Sequence, residues 1–563
     1  MITLLQLFVS PVGPALTLLL AAVVQVIIGR WVRRPGVLTG LALFFVTVAA
    51  WLYLGLRTEP VAPTFSLPWR PPLQSGANLI WVGDGWNWYI SGIILLLGGV
   101  GILLDLNRPG GRSSEPRTTS SSLAIHLGVL AAGLLFVGSA NVLTAMLMWV
   151  LLDLFTLARS TVSDENATPD APQQHAKGLS LIGALLLLIG LLPAGLSGPG
   201  QPLQGGALPQ ETIALMLVAG LIRAGVYPFH LWLLPASRRR LDVAERLLDH
   251  MVPVLCGLWL LGWTIELGAH YVLLQPDIVF FLTISLLGSA LAAWTASDQP
   301  NHVTFVLVSS AGLAVLAGVL AYEPGPSGLI WPTTAFALGG AVWLVGDQVW
   351  RGWGWQIPVS FGALALAGVP FTPGFLTQPA LARLLVLGPI FLVILFAFFI
   401  AQSLQIAAML RSWSAPTDAG GRSLRTGVAV RLLIAVFALG LPLAVIGFFP
   451  RDTAEMAGVF EVIPPLLGTP PTVVAEWPVW VVLGLPLLAG IGLVTYQPIL
   501  WRQAGPWPAR LNRLTRLQWL FRLSWWGVGR ISDGWGSTVR SIEGAGYMGW
   551  VLVFVLTAFL LFR

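Results

Sequence analysis

The chain has 563 residues, 56% of them hydrophobic and only 10% charged, with a mean hydropathy of +0.81 and a formal net charge of +6. Soluble domains carry about 25% charged and 45–50% apolar residues, so too little polar surface is present here to cover a water-soluble fold. The same arithmetic excludes collagen-like, disulfide-scaffold and disordered classes. Apolar segments along the whole chain also exclude a signal peptide followed by a globular domain. What remains is an all-α, polytopic integral membrane protein.

A spanning helix needs about 20 mostly apolar residues. About sixteen stretches qualify: 12–29, 36–56, 86–104, 123–138, 141–159, 178–198, 213–235, 248–264, 277–296, 303–321, 328–347, 356–386, 387–412, 427–449, 478–497 and 547–562. Two are long and interrupted, 213–235 by Pro228 and 356–386 by Pro370, Pro373 and Gly374. Broken helices at membrane depth are tolerated where they are buried in protein or line a cavity, so these two mark a transport path. Between the last two stretches, 502–540 mixes Arg510, Arg513, Arg516 and Arg522 with Leu511, Leu514, Leu517, Trp525 and Trp526 at helical spacing. That pattern predicts an amphipathic helix lying along the interface with its guanidinium groups at the lipid headgroups.

The basic residues test this order. Arg30, Arg33, Arg34, Arg108, Arg112, Arg117, Lys177, Arg238–Arg240, Arg351, Arg411, Arg422 and Arg425 fall in alternate loops, and the opposite loops hold little beyond Arg57, Arg70 and Arg451. This is the positive-inside pattern of a cytoplasmic membrane protein, not a nucleic-acid signature. Lys177 is the only lysine, which leaves 29 of the 30 Lys+Arg residues as arginine, and it falls in a predicted loop. The single Cys256 rules out a disulfide, a Cys-ligated zinc site or an iron–sulfur cluster within the chain. No Walker loop and no HExxH is present. Neither a cofactor nor a hydrolytic site is expected in this chain.

Six segments carry a further pattern. They are Gly83–Asp84–Gly85, Met148–Trp149–Val150–Leu151–Leu152–Asp153, the run from Leu221–Ile222–Arg223 through Tyr227–Pro228–Phe229–His230–Leu231–Trp232–Leu233, Leu248–Asp249–His250–Met251, Val308–Ser309–Ser310–Ala311–Gly312, and Ala367–Gly368–Val369–Pro370–Phe371–Thr372–Pro373–Gly374–Phe375. Together they resemble the antiporter-like membrane subunits of respiratory complex I, shared with Mrp cation/proton antiporters and membrane-bound hydrogenases. The "YPFHLWL" and "AGVPFTPGF" fragments at the two broken helices are the most specific. The resemblance implies two inverted five-helix repeats, expected near 123–264 and 277–412, preceded by N-terminal spans over 1–122. Further spans over 427–497, the basic lateral helix and a last span at 547–562 follow. It also implies other membrane subunits as partners. In an NADH:quinone oxidoreductase, the redox groups would sit on those other subunits.

The family moves protons, or Na⁺ and protons, through buried titratable residues. A buried lysine serves because desolvation lowers its pKa toward neutrality, whereas arginine stays protonated. Here the sequence departs from its relatives. The family's glutamate after "FW" aligns with Val150, its lysine on the first broken helix with Arg223, a further lysine near Leu338, and its lysine or glutamate after the second "GF" motif with Gln378. The lysine relay is absent.

Few ion-path candidates are left. Asp153 lies one turn beyond Val150 and either replaces the lost carboxylate or pairs with Arg223 as a fixed bridge. The bridge is favoured, since Arg223 cannot release its proton. His250 takes the family's histidine position and is either a relay or a satisfied interior histidine. His230 follows Pro228, and His126 stands alone near a span start, where packing is the simpler role. Asp249 and Asp347 fall near predicted span ends, where solvation is expected. The reading is therefore a component of a complex I-like or Mrp-like membrane assembly, with its relay impaired and a scaffold or coupling role. The alternatives are an active proton or Na⁺/proton subunit working through Asp153 and His250, and an unrelated secondary transporter.

Overall fold

The computed structural model describes residues 7–32, 34–57, 63–68, 78–83, 85–105, 116–163, 171–193, 200, 202–203, 206–234, 242–269, 274–414, 426–450 and 477–520, with 522–523, 526–527 and 530 beyond. The expected last span at 547–562, Asp84 and the Arg238–Arg240 run lie outside the described residues.

Every expected stretch from 12–29 to 478–497 coincides with a helix or a helix pair. In chain order these are α1 (Gly13–Ile28), α2 (Pro35–Gly55), α3 (Gly85–Asp105), α4 (Pro116–Val137), α5 (Val142–Ser163), α6 (Ala171–Gly190) and α7 (Gln210–Arg223). Then come α8 (Val243–Gly268), α9 (Pro276–Thr295), α10 (Gln299–Leu320), α11 (Pro326–Trp353), α12 (Ile357–Ala367), α13 (Pro389–Leu410), α14 (Thr426–Phe448), α15 (Trp477–Ala504) and α16 (Trp507–Thr515). Among the described residues, 11 helices are long and apolar enough to cross a membrane, and Gly13–Ile28, Gly178–Gly190 and Ile357–Ala367 are shorter apolar helices.

The sequence sets where many of these helices begin. Proline stands at the first or second position of α1, α2, α9, α10, α11, α12 and α13. There its missing N–H is one that no helix would satisfy, and its fixed φ suits the first turn. A short antiparallel hairpin, β1 (Thr64–Pro68) with β2 (Asn78–Val82), pairs Phe65 with Trp81 between α2 and α3.

Burial separates two kinds of helix. The best 18-residue window of α10 is 100% buried and that of α11 94%, whereas α2, α14 and α15 are buried over about a third or less. The centre of the bundle is therefore α4, α8, α10 and α11, and α2, α14 and α15 show an apolar face outward. Two runs of five elements, α4–α8 and α9–α13, each have their break in the fourth element.

Two expectations change. Lys177 lies within α6, not in a loop, because the polar stretch 171–177 is rich in the good helix formers alanine and glutamine and extends the apolar helix backward. Within 502–540 the described residues are helical on both sides of a break: the chain turns at Gly505 (φ +56), runs through α16, breaks at Leu517 (φ +54) and is helical again at 518–520, while 531–540 lie outside the described residues. Arg516 forms an ion pair with Asp298 on the α9–α10 turn, which fixes α16 against the end of α9. From the alternation of basic loops in the sequence, Arg240→Cys and Arg513→Cys, each in a Cys256→Ala background, should label from the same side of the membrane. Labelling from opposite sides would break the alternation of the loops.

Candidate functional site

The two breaks are built by local sequence. α7 ends at Arg223, Ala224 caps it, and Gly225 takes φ +62, a left-handed conformation that costs a side-chain-bearing residue free energy. The chain then re-enters a 3₁₀ turn at Phe229–Leu233. The backbone groups freed by the break find partners: the Trp232 indole N–H donates to the Ile222 carbonyl at 2.9 Å and the Ser285 hydroxyl to the Tyr227 carbonyl. This is how non-helical backbone survives at membrane depth. Gly257 of α8 lets the break approach closely, since a Cβ there would lie 2.2 Å from the Ala224 nitrogen.

The second break follows the same plan. α12 ends on Gly368 (φ +78), Phe371 also takes a positive φ (+66), and a 3₁₀ turn begins at Pro373. Gly374 lies so close to α12 that a Cβ would stand 2.1 Å from the Ala365 carbonyl oxygen. Pro370, Pro373 and Gly374 thus form a tight reversal, and the side chain of Gln378 folds over it, 2.1 Å from where a Gly368 Cβ would stand.

At the first break, the structure brings Asp153 and Arg223 together. Asp153 is 8% exposed and Arg223 only 1%. The Arg223 guanidinium donates to the Asp153 carboxylate and, at 2.6 Å, to the Ser180 hydroxyl. The carboxylate also accepts from the Trp149 indole at 3.0 Å and the Ser180 hydroxyl at 3.0 Å. The guanidinium carbon lies 5.0 Å from the centroid of Trp149 and 5.9 Å from that of Trp232. A planar cation held by a carboxylate and two indoles is an arginine site by geometry, because the ammonium of lysine offers neither the plane nor the fork. Val150, where the family has its glutamate, is a half-buried apolar residue one turn away.

His230 is fully buried but points elsewhere. Its ring stacks on Tyr227 (centroids 4.9 Å apart, planes 12° apart) and meets Phe305 at 5.1 Å. His250 is buried on a π-helical turn, Arg246–Met251, at the start of α8. A second π turn, Ala335–Gly339, carries the fully buried Leu338 in α11. Between these turns the contact is apolar: the Met251 methyl and Leu307 flank Gly340, 3.2 and 3.5 Å from where its Cβ would stand. Of the four positions Asp153, His250, Leu338 and Gln378, Leu338 and Gln378 carry no titratable group.

The two aspartates expected in solvent are both paired, Asp347 in a buried setting and Asp249 with 27% of its side chain exposed. Asp347 is 7% exposed and takes a two-pronged contact from Arg351 one turn away (2.9 and 3.0 Å), with Gln299 at 3.1 Å. Asp249 meets the buried Arg159 at 2.9 Å, and Glu245 lies 3.9 Å from the same guanidinium. His126 is fully buried 3.8 Å from Asp105. The capping box of α8, Asp242 with Glu245 three residues on, is a pattern visible in the sequence that would have placed Glu245 at a helix start. Nothing in the sequence singles out Ser180.

No family model matches the chain. A curated relative from Rhizobium meliloti, described as a probable K⁺/H⁺ antiporter subunit of the A/B type, is 25% identical over 328 residues, covering 51% of this chain and 32% of the relative. Among solved structures, a chain of the Mrp complex from a Dietzia species superposes with a TM-score of 0.72 at 17% identity, over 96% of this chain and 62% of that one. A chain of the membrane-bound sulfane sulfur reductase, an archaeal respiratory membrane complex, superposes with a TM-score of 0.62 at 14% identity, over 97% of this chain and 99% of that one. The chain spans about a third of the curated relative's length and less than two thirds of the Dietzia chain. In fold the chain matches a chain of the Mrp complex and a chain of the sulfane sulfur reductase, and in sequence it is similar to the K⁺/H⁺ antiporter subunit.

Proposed function

We propose that this chain is a membrane subunit of an Mrp-like cation/proton antiporter assembly, in which it acts as a scaffold or coupling element rather than as a lysine-based pump. The observation that carries this reading is the buried Asp153–Arg223 bridge at the first helix break. A relay position has to gain and lose a proton, and a guanidinium does not. The bridge occupies the first break with a fixed charge pair. Gln378 at the second break and Leu338 on the π turn of α11 add no titratable group. Two broken helices without a charge relay still provide rigid, interlocked packing for neighbouring subunits.

The reading predicts obligate company. Affinity purification of the tagged chain from membranes of its source should bring down further polytopic membrane subunits in fixed ratio. Recovery of the chain alone, from membranes in which it is expressed with its neighbouring genes, would overturn it. The competing reading, ion passage through Asp153 and His250, draws on the π turn that carries His250, since such turns are frequent at functional sites.

A further inference from the structure

We propose that the open groove between α13 and α15 holds one acyl chain of an anionic phospholipid, with its headgroup at the exposed arginines that end α15 and run along α16. The inference is independent of the charge pair at the first break and of whether the chain conducts ions.

The groove has a volume of about 750 Å³ and lies between Phe399, Ile400 and Leu404 of α13 and Leu485, Leu493 and Leu500 of α15. Its α15 wall is a single apolar stripe at helical spacing. Two glycines shape it. At Gly490 the helices meet: a Cβ there would lie 2.7 Å from the Ile406 side chain and 3.0 Å from the Ser403 carbonyl oxygen. Gly492 borders open space, with no atom within 4 Å of where its Cβ would stand. The two helices are thus pinned along one side of their seam and gape along the other. The groove asks for an apolar guest, since the Ser403 hydroxyl on its wall already donates to the Phe399 carbonyl at 2.6 Å. From Leu485 to Leu500 the stripe runs about 22 Å along the helix axis. The hydrocarbon of one leaflet is about 15 Å deep, so an acyl chain fits over its full length.

Charge selects the kind of lipid. Residues 477–532 hold six arginines and no aspartate or glutamate. Arg502 is exposed two residues beyond Leu500, and Arg510 and Arg513 are exposed on α16. Arg516 is tied to Asp298, whereas these three have no carboxylate partner among the described residues. Trp507 is 65% exposed and lies 5.9 Å from the Arg510 guanidinium, an aromatic and a cation together as at a headgroup layer. An acyl chain already in the bilayer escapes no water by entering the groove, so the apolar walls do not choose between lipids. The arginines do. A headgroup with an uncompensated phosphate is drawn to them, whereas a zwitterionic one brings its own cation. A helix of a neighbouring subunit fits less well: the volume spread over that length leaves a slot about 6 Å wide, against about 10–12 Å for a helix with its side chains.

Photolabelling of the full chain in phosphatidylcholine liposomes tests this. The probe is phosphatidylglycerol with a diazirine midway along one acyl chain. Its label should concentrate on Phe399–Leu404 and Leu485–Leu500 over α6, where Leu185 and Leu188 are 54% and 47% exposed and report bulk lipid. The excess over the same diazirine on phosphatidylcholine should be roughly fivefold, the scale of one arginine near an anionic surface. Gly492→Leu fills the groove without a clash and should bring its labelling down to that of α6, with thermal unfolding unchanged. Arg502→Gln with Arg510→Gln and Arg513→Gln should remove the preference for phosphatidylglycerol and leave labelling by phosphatidylcholine in place. Equal labelling of the groove by the two lipids, labelling that survives Gly492→Leu, or a preference that survives the triple variant would each overturn the proposal. So would a groove that, in native membranes, crosslinks to a neighbouring subunit and not to lipid.

Discussion

Asp153→Asn should destabilise the protein by about 3–5 kcal/mol, the cost of removing one partner of a buried ion pair and leaving the other charge uncompensated. The stranded group would be Arg223, 1% exposed and enclosed by Trp149, Trp232 and Ser180. Asparagine keeps the shape, but its single carbonyl oxygen can accept from only one of Trp149 and Ser180, so the loss includes one hydrogen bond besides the charge. Removing both charges tests this further. Asp153→Leu with Arg223→Leu should cost less than Asp153→Asn alone, because apolar replacements of a buried pair are often neutral or stabilising. The measurement is thermal unfolding of wild type, both single variants and the double variant in one detergent. Equal stabilities across the series would mean that the contact is incidental. Arg223→Lys is informative as well: lysine keeps the charge but loses the planar contact with the two indoles, and its buried amine becomes able to titrate.

Much of the fold was legible because membrane helices are written in composition. The breaks at Pro228 and at Pro370–Gly374 could be read directly, since proline removes a donor and glycine permits positive φ inside otherwise apolar runs. The start of α6 could not be read this way. Hydropathy ends near residue 178, while helix propensity carries the helix back to Ala171. Within 502–540 the break could not be read either: the Arg/Leu/Trp spacing is helical, but the positive φ at Leu517 and the tie from Arg516 to Asp298 are tertiary facts that periodicity does not encode. At the site, Asp153 and Arg223 were legible as charged residues inside apolar stretches at matching depth. Their partners were not: Ser180 is one serine among many, and the pairing of Asp249 with Arg159 depends on which helix faces which, whereas Asp347 and Arg351 stand four residues apart on one helix. Span ends were expected to be wet. In this bundle they are knitted together by arginine.

The purified chain in proteoliposomes should show no proton or Na⁺ flux above that of empty liposomes, with or without an imposed pH gradient. A half-channel needs consecutive protonatable groups or waters, and a charge crossing an apolar gap at mid-membrane costs at least about 2.5–3.5 kcal/mol on insertion scales. In this chain, Val150 is apolar, Arg223 is locked, Leu338 is fully buried, and Met251 and Leu307 close on Gly340 between the two π turns. Val150→Glu, Arg223→Lys, Leu338→Lys and Gln378→Lys in one chain should restore at most part of a path, because the apolar packing around Leu338 would still have to hydrate. The assay distinguishes the two readings by which residue it depends on. Robust wild-type flux that disappears in Asp153→Asn or His250→Ala would sink the scaffold reading and make that residue the carrier. Flux that appears only in the fourfold variant would mean that the fold still holds a conduit and that its four relay positions alone had closed it.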